Sequence, residues 1–122
     1  NTGPFIQYTY ARIQSVLRKG EKEVGSQKVE VGNVLPKEKD LIKLVYEFPK
    51  VIEQAAKEYN PGVIANFIYD VAKDYNQFYH DITILKEENT DLRIFRLQLS
   101  KKIGEVIQQG MNLLGVDVPE RM

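Results

Sequence analysis

The sequence predicts an all-α protein, a helical bundle of four to five helices. Three observations point there. Apolar residues recur at i, i+3, i+4 and i+7 in successive segments, which is the period of a helix face. Prolines, glycines and capping residues fall at the ends of those segments and seldom inside them. Strand-like pieces are confined to Val29 and Val31, within residues 21–36, where glycine, Ser26 and mixed charge predict a flexible loop.

Taken in order, Pro4 suits the first turn of a helix, where its missing N–H would be unpaired in any case. That helix is expected to run to Lys19, with Arg18 and Lys19 favourably placed in its last turn and Gly20 as the stop. Pro36 opens a second helix carrying Leu41, Leu44, Val45 and Phe48. Pro49 removes a backbone donor and disfavours helical geometry at Phe48, so a kink or a new helix is expected there. Val51, Ile52, Ala55 and Ala56 then continue the stripe to Tyr59. Asn60 followed by Pro61 reads as an N-cap and first helical position. Ile64, Phe67, Ile68, Val71, Tyr75 and Phe78 form the next core-facing stripe. A connection over 81–89 leads to a last helix with Thr90 as its expected cap. That helix carries Leu92, Phe95, Leu99, Ile103, Val106, Ile107 and Leu114, and Gly115 ends it.

Composition bounds what this bundle can be. A chain of 122 residues fits one domain over 1–122 and can bury roughly two thirds of its unfolded surface. Hydrophobic residues at 43% and aromatic residues at 10% are globular values. With no cysteine, disulfides and thiolate metal sites are excluded. Apolar runs such as Val63-Ile64-Ala65 fall far short of a bilayer span, so no membrane partner is expected. Lys plus Arg equals Asp plus Glu at 17 each, whereas indiscriminate duplex binders are far more basic. DNA is not expected as a partner, and RNA fits only if recognition is local and relies on stacking. Asn1 is not an initiating Met and no leader precedes Pro4, so the chain is expected to be the C-terminal fragment of a longer protein.

Within Gln7-Tyr8-Thr9-Tyr10-Ala11-Arg12, Tyr8 and Arg12 fall at i and i+4 on one helix face. A ring beside a guanidinium, with Arg18, Lys19 and Lys22 further along, fits an unpaired nucleobase and its phosphates. An ordinary aromatic-plus-arginine surface has the same pattern, and this helix alone does not separate the two. Tyr75 lies on the apolar stripe and is expected in the core, whereas Tyr79, near a helix end, can reach the surface. His80 is the lone histidine, with no ligand cluster around it in sequence, so no metal site is expected. Neither a glycine-rich phosphate loop nor a Ser-His-Asp set occurs, so no catalytic residue is assigned.

The stretch from Phe5 to Lys19 resembles the start of the anticodon-binding domain of arginyl-tRNA synthetases, a class I family whose helix opens Gln-Tyr-Ala-(His/Tyr)-Ala-Arg and continues to a Ser-Ile-Leu-Arg-Lys-like end. Asn66-Phe67-Ile68-Tyr69 and Tyr75-Asn76-Gln77-Phe78-Tyr79-His80 are similar to the family's central helix. Gly110-Met111-Asn112-Leu113-Leu114-Gly115 leads into Pro119-Glu120-Arg121-Met122, like the family's ending. Thr9 departs from the usual alanine, and Asp91-Leu92-Arg93 stands where an Ala-Arg-Leu stretch is common, which leaves the role of Arg93 open.

The resemblance implies that bases unstacked from an anticodon loop rest on Tyr8 and Tyr79, that Arg12 bonds a base edge or phosphate, and that Met122 folds back to pack its thioether on a base. It implies tRNA-Arg as partner and a cytoplasmic arginine–tRNA ligase as parent. ATP with Mg would be bound by a catalytic domain upstream of Asn1, because this chain lacks the His-x-Gly-His and Lys-Met-Ser-Lys-Ser signatures and needs no cofactor of its own. Two alternatives remain open: the anticodon domain of a related synthetase such as the cysteinyl enzyme, and a helical protein-interaction module.

Overall fold

Among the described residues four helices form, each where an apolar stripe predicts one. The structure, a computed structural model, describes residues 2–20 and 29–116. Helix α1 spans Thr2–Lys19, α2 Pro36–Lys57, α3 Gly62–Asp81 and α4 Thr90–Leu113. No strand occurs among the described residues, and 29–35 is irregular. The first part of the expected 21–36 loop, 21–28, lies outside the described residues, as do Lys22 and the 117–122 end.

Pro49 does not divide α2, which continues through it to Lys57. The lost backbone bond is local, whereas Leu41, Phe48 and Ala55, seven residues apart, bury one face on either side of the proline. Tertiary burial outweighs the local penalty. At the end of α2 the backbone turns sharply, with Asn60 N–H donating to Ala55 O at 2.9 Å and Tyr59 N–H to Ala56 O at 3.3 Å. This is a Schellman ending, with Tyr59 at φ 51° where glycine is usual. Tyr59 is therefore fully outside the stripe expected to end on it, and it is exposed. The N-cap of α3 falls on Pro61, one residue after the expected Asn60, and makes no side-chain cap; Asn60 Oδ1 still accepts the Gly62 N–H at 3.0 Å, just ahead of the helix.

The cap of α4 is Asn89 rather than the expected Thr90. Its Oδ1 accepts the Leu92 N–H at 3.1 Å, and Thr90 becomes the first helical residue. Asn is at least as good an N-cap as Thr, so two adjacent candidates resolve in its favour. The C-terminus of α4 closes as expected at Gly115, whose φ of 78° admits the bond from Val116 N–H to Met111 O at 2.9 Å.

Helices α3 and α4 form the centre, with α1 and α2 packed on this pair. Hydrogen-bonded Tyr75 and Ser100, together with the approach of Gly110 to Ile68, run α3 and α4 antiparallel. A Cβ on Gly110 would lie 2.4 Å from Ile68 Cδ1, so the Ile68 side chain seats directly on the backbone of α4. Gly104 receives Ile13 in the same way and sets α1 antiparallel to α4. Helix α1 therefore runs alongside α3 in the same direction, with the Phe5 and Tyr69 rings 5.7 Å apart at one end. Ile13, Leu41, Ile68, Val71, Leu97, Ile103 and Ile107 are large, fully enclosed aliphatic residues around which this packing is built. Tyr75 joins them as expected, and burial pushes the pKa of its hydroxyl up.

Phe67 departs from its expected core position. It is half-buried and lies stacked on Phe48, centroids 5.9 Å apart and planes 10° from parallel, packed against the core from its edge. Leu92 and Phe95 are half-buried too, because the stripe of α4 is wider than the partners that cover it. Phe78, fully buried, is the residue whose truncation should cost about 3–5 kcal/mol, while Phe67→Ala should cost about 2 kcal/mol, because only part of its ring leaves water. Urea melts of the two variants against the parent chain check the order, and equal losses would contradict it.

Candidate functional site

The spacing of Tyr8 and Arg12 on α1 works out as a contact. The Arg12 Nη2 donates to Tyr8 Oη at 3.0 Å, and the guanidinium carbon sits 5.0 Å from the Tyr8 ring centroid. From the other side, Tyr79 on α3 brings its ring to 4.3 Å from the same carbon. The three residues singled out in the sequence and described in the structure therefore form one cluster, with Arg12 between two aromatic rings. Met122, the fourth, lies outside the described residues.

Exposure separates the tyrosines. Tyr8 is 49% and Tyr79 37% exposed, whereas Tyr75 is 0% and contributes as a backing ring, 6.5 Å from Tyr79. Tyr69 is half-buried against Phe5, well down the helix from this cluster. His80 is exposed at the end of α3 and meets Tyr79 edge-on at 5.7 Å.

The cluster borders an open cleft of about 450 Å³, lined by Tyr8, Arg12, Arg18 and Lys19 from α1, by Tyr79, and by Leu85 from the α3–α4 connection. None of the described residues lining it is acidic. A smaller hollow of about 260 Å³ adjoins it beyond Tyr79, beside Thr83 and Lys86. Flat ring faces, a planar guanidinium and further cations suit a stacked base with its phosphate.

Two polar networks hold these parts. In the first, Asn76 on α3 accepts a hydrogen bond from Arg12 Nη1 through Oδ1, and its Nδ2 donates to Thr9 Oγ1 at 2.7 Å and to Ala72 O at 2.8 Å. Thr9 in turn donates to Phe5 O at 2.9 Å. In the second, buried Arg96 reaches Glu38 Oε2 at 2.9 Å, Thr83 O at 2.6 Å and Glu87 Oε1 at 2.9 Å. Glu38 also accepts the Leu35 N–H at 2.8 Å, tying the start of α2 to the same point. Arg93, whose role the sequence left open, donates to Glu87 O at 2.6 Å and so holds the α3–α4 connection.

Sequence reading missed Asn76, Thr9 and Arg96 as parts of the site. Asn and Thr in a helix interior, next to apolar stripes, are the signal that could have flagged the first two, because both residues are disfavoured there without a specific partner.

Residues 6–122 match the family model described as the DALR anticodon binding domain. The arginine–tRNA ligases of Phocaeicola vulgatus and Flavobacterium psychrophilum are 52% and 54% identical to this chain along its whole length. The chain spans 21% and 20% of those two relatives. Among solved structures, the Thermus thermophilus arginyl-tRNA synthetase superposes with a TM-score of 0.88 at 29% identity, over 98% of this chain and 21% of that one. A putative arginyl-tRNA synthetase from Campylobacter jejuni, at 18% identity, shares the fold with a TM-score of 0.83, over 97% of this chain and 26% of that one.

The clamp on the α3–α4 connection carries a pH dependence. The Asn89 N–H, and then Arg96, hold the Glu87 carboxyl below its ordinary range. A depressed carboxyl contributes stability that is complete above its unfolded-state value and is lost as pH falls through the folded-state value. Melting temperature should therefore fall on the acid side of the ordinary glutamate range, and Glu87→Gln should flatten part of that limb. Thermal melts of both proteins between pH 6 and pH 3, with matching acid limbs as the contrary result, check this.

Proposed function

The chain belongs to the DALR anticodon binding domain family, and from that premise we propose that its cleft receives the anticodon loop of tRNA-Arg on behalf of a longer arginine–tRNA ligase. The observation that carries this reading is Arg12 held between the Tyr8 and Tyr79 rings in a cleft with no acidic lining. Unstacking a loop base costs free energy, and each base laid on an aromatic ring returns about 1–3 kcal/mol. Tyr8 and Tyr79 supply the faces, Arg12 a donor for a base edge or phosphate, and Arg18 and Lys19 charge for the backbone. Met122 completes the proposed set. Its inclusion rests on the resemblance of Pro119-Glu120-Arg121-Met122 to the family's ending.

Attachment of arginine, with the ATP and Mg it uses, is assigned to the remainder of the parent enzyme, in the cytoplasm where tRNA is charged. The described residues offer no elements for holding an ATP triphosphate with Mg. Neither a glycine-rich phosphate loop nor a group of three acidic or histidine side chains able to hold a metal occurs among them. The names of the relatives favour arginine over cysteine as the amino acid served.

Titration of the chain with tRNA-Arg, tRNA-Cys and an unrelated tRNA tests the assignment. Preference for tRNA-Arg is expected, equal affinity for all three would remove the specific reading, and no tRNA binding would return the chain to the protein-interaction class. Tyr8→Ala and Arg12→Ala should each weaken tRNA-Arg binding with the melting temperature little changed, since alanine favours the helix and Tyr8 is half-exposed.

The salt dependence should be shallow, with log affinity against log salt falling at a slope of about −2 to −4, because few phosphates meet a cation. A slope near −10 would require an extensive basic surface. Removing Arg121 and Met122 should lower tRNA affinity more than thermal stability. Unchanged affinity in the shortened chain would leave Met122 as an ordinary terminus.

A further inference from the structure

Arg12 is held in place in the absence of RNA, and the residues that hold it are set back from the cleft. Thr9 is fully buried and Asn76 does not line the cleft. Starting from the reading of the cleft as an RNA-binding surface, we infer that Thr9 and Asn76 act as a latch that sets the Arg12 guanidinium between Tyr8 and Tyr79 before RNA arrives. They are positioning residues for recognition, working through Arg12.

The hydrogen bonds leave the latch a single orientation. Both Nδ2 protons of Asn76 are used, one on Thr9 Oγ1 and one on the Ala72 carbonyl. Thr9 Oγ1 spends its own proton on the Phe5 carbonyl, so it can only accept from Asn76. Flipping the amide would set its oxygen against the Ala72 carbonyl and its NH2 against the guanidinium, losing the bonds to both. The oxygen of Asn76 is therefore fixed toward Arg12 Nη1. With Nη2 on Tyr8 Oη and the plane over Tyr79, the guanidinium has its position and its tilt determined.

An arginine on an open surface loses rotamer freedom when it binds, at a cost worth roughly two- to ten-fold in affinity per ordered side chain. A latched Arg12 has met that cost during folding. The hydroxyl of Thr9 is the part that decides the matter, because the Asn76 amide would otherwise turn to other partners. Valine has nearly the shape of threonine without the hydroxyl, and serine keeps the hydroxyl, so the two substitutions separate shape from hydrogen bonding.

The test is a double-mutant cycle on this chain, with tRNA-Arg affinity, melting temperature and the Arg12 side-chain N–H signals in RNA-free NMR spectra as readouts. Thr9→Val should lower affinity about two- to ten-fold, the range expected for one side chain left unordered. It should also merge the separately resolved Nη signals of Arg12, because the guanidinium then rotates freely. Thr9→Ser should retain both properties. In an Arg12→Ala background, Thr9→Val should cost no further affinity. Asn76→Ala repeats the cycle from the other half of the latch, in case Thr9→Val folds poorly.

An equal loss from Thr9→Val with and without Arg12 would mean a general structural effect and overturn the latch. Unchanged affinity and unchanged Arg12 signals in Thr9→Val would overturn it as well. If Arg12→Ala itself leaves tRNA affinity intact, the RNA-binding reading of the cleft fails and the inference fails with it, whatever the Arg12 signals show.

Discussion

The buried pair of Arg96 and Glu38 is the constraint on which the arrangement of the bundle rests. Their side chains are 6% and 0% exposed, so two opposite charges have been taken out of water together. Desolvating each ion costs several kcal/mol, which their attraction offsets only if every remaining donor and acceptor finds a partner. That condition explains the company they keep. Arg96 also reaches Thr83 O and Glu87, and Glu38 also takes the Leu35 N–H. The start of α2, the body of α4 and the α3–α4 connection are thereby fixed to one point. Removing either ion alone leaves the other buried and unpaired, an effect of about 3–5 kcal/mol. The connection held in this way carries Leu85 to the cleft, so a charge pair in the core sets one wall of a surface site.

Net charge told only part of the story. The sequence balances its charges to zero, a value unlike that of proteins that hold nucleic acid by broad electrostatics. Distribution matters more than the sum. Arg12, Arg18 and Lys19 gather along one cleft with no acid among its lining residues, while acidic side chains such as Glu38 and Glu87 are taken up by the internal network. The balance thus favours short-range contacts over long-range attraction, in keeping with rings and a guanidinium as the principal means of contact.

Legibility in the sequence followed the range of each interaction. The helices could be read from apolar period and punctuation, because both are local, and the described ends fell within about two residues of the expected places. Pro49 starts no new helix, because the local rule is outweighed by burial of Leu41, Phe48 and Ala55. Thr90 misled because Asn89 beside it was an equally good cap. At the site, the pairing of Tyr8 and Arg12 was legible as an i, i+4 contact. The place of Tyr79 against them came from family resemblance, since nothing local ties it to α1. Asn76 with Thr9, and Arg96 with Glu38, are 67 and 58 residues apart in sequence, and no periodicity brings such residues together. What a helix-interior Asn or a lone buried Arg shows beforehand is only that a partner must exist.

The seating of Ile13 against Gly104 has a consequence for the order in which the protein comes into being. A ribosome makes α1 first, at about 5–20 residues per second. Ile13 must then wait for residue 104, an interval on the order of 5–20 s at that pace. Throughout it, Ile6, Tyr10, Ile13 and Val16 lack the full seat that they occupy in the finished bundle. Arg12 and Tyr79 belong to helices that α4 aligns, so a half-made chain carries the side chains of the cleft without their arrangement. Such an emerging chain can present apolar surface to a chaperone well before it can present a ring-lined cleft to RNA.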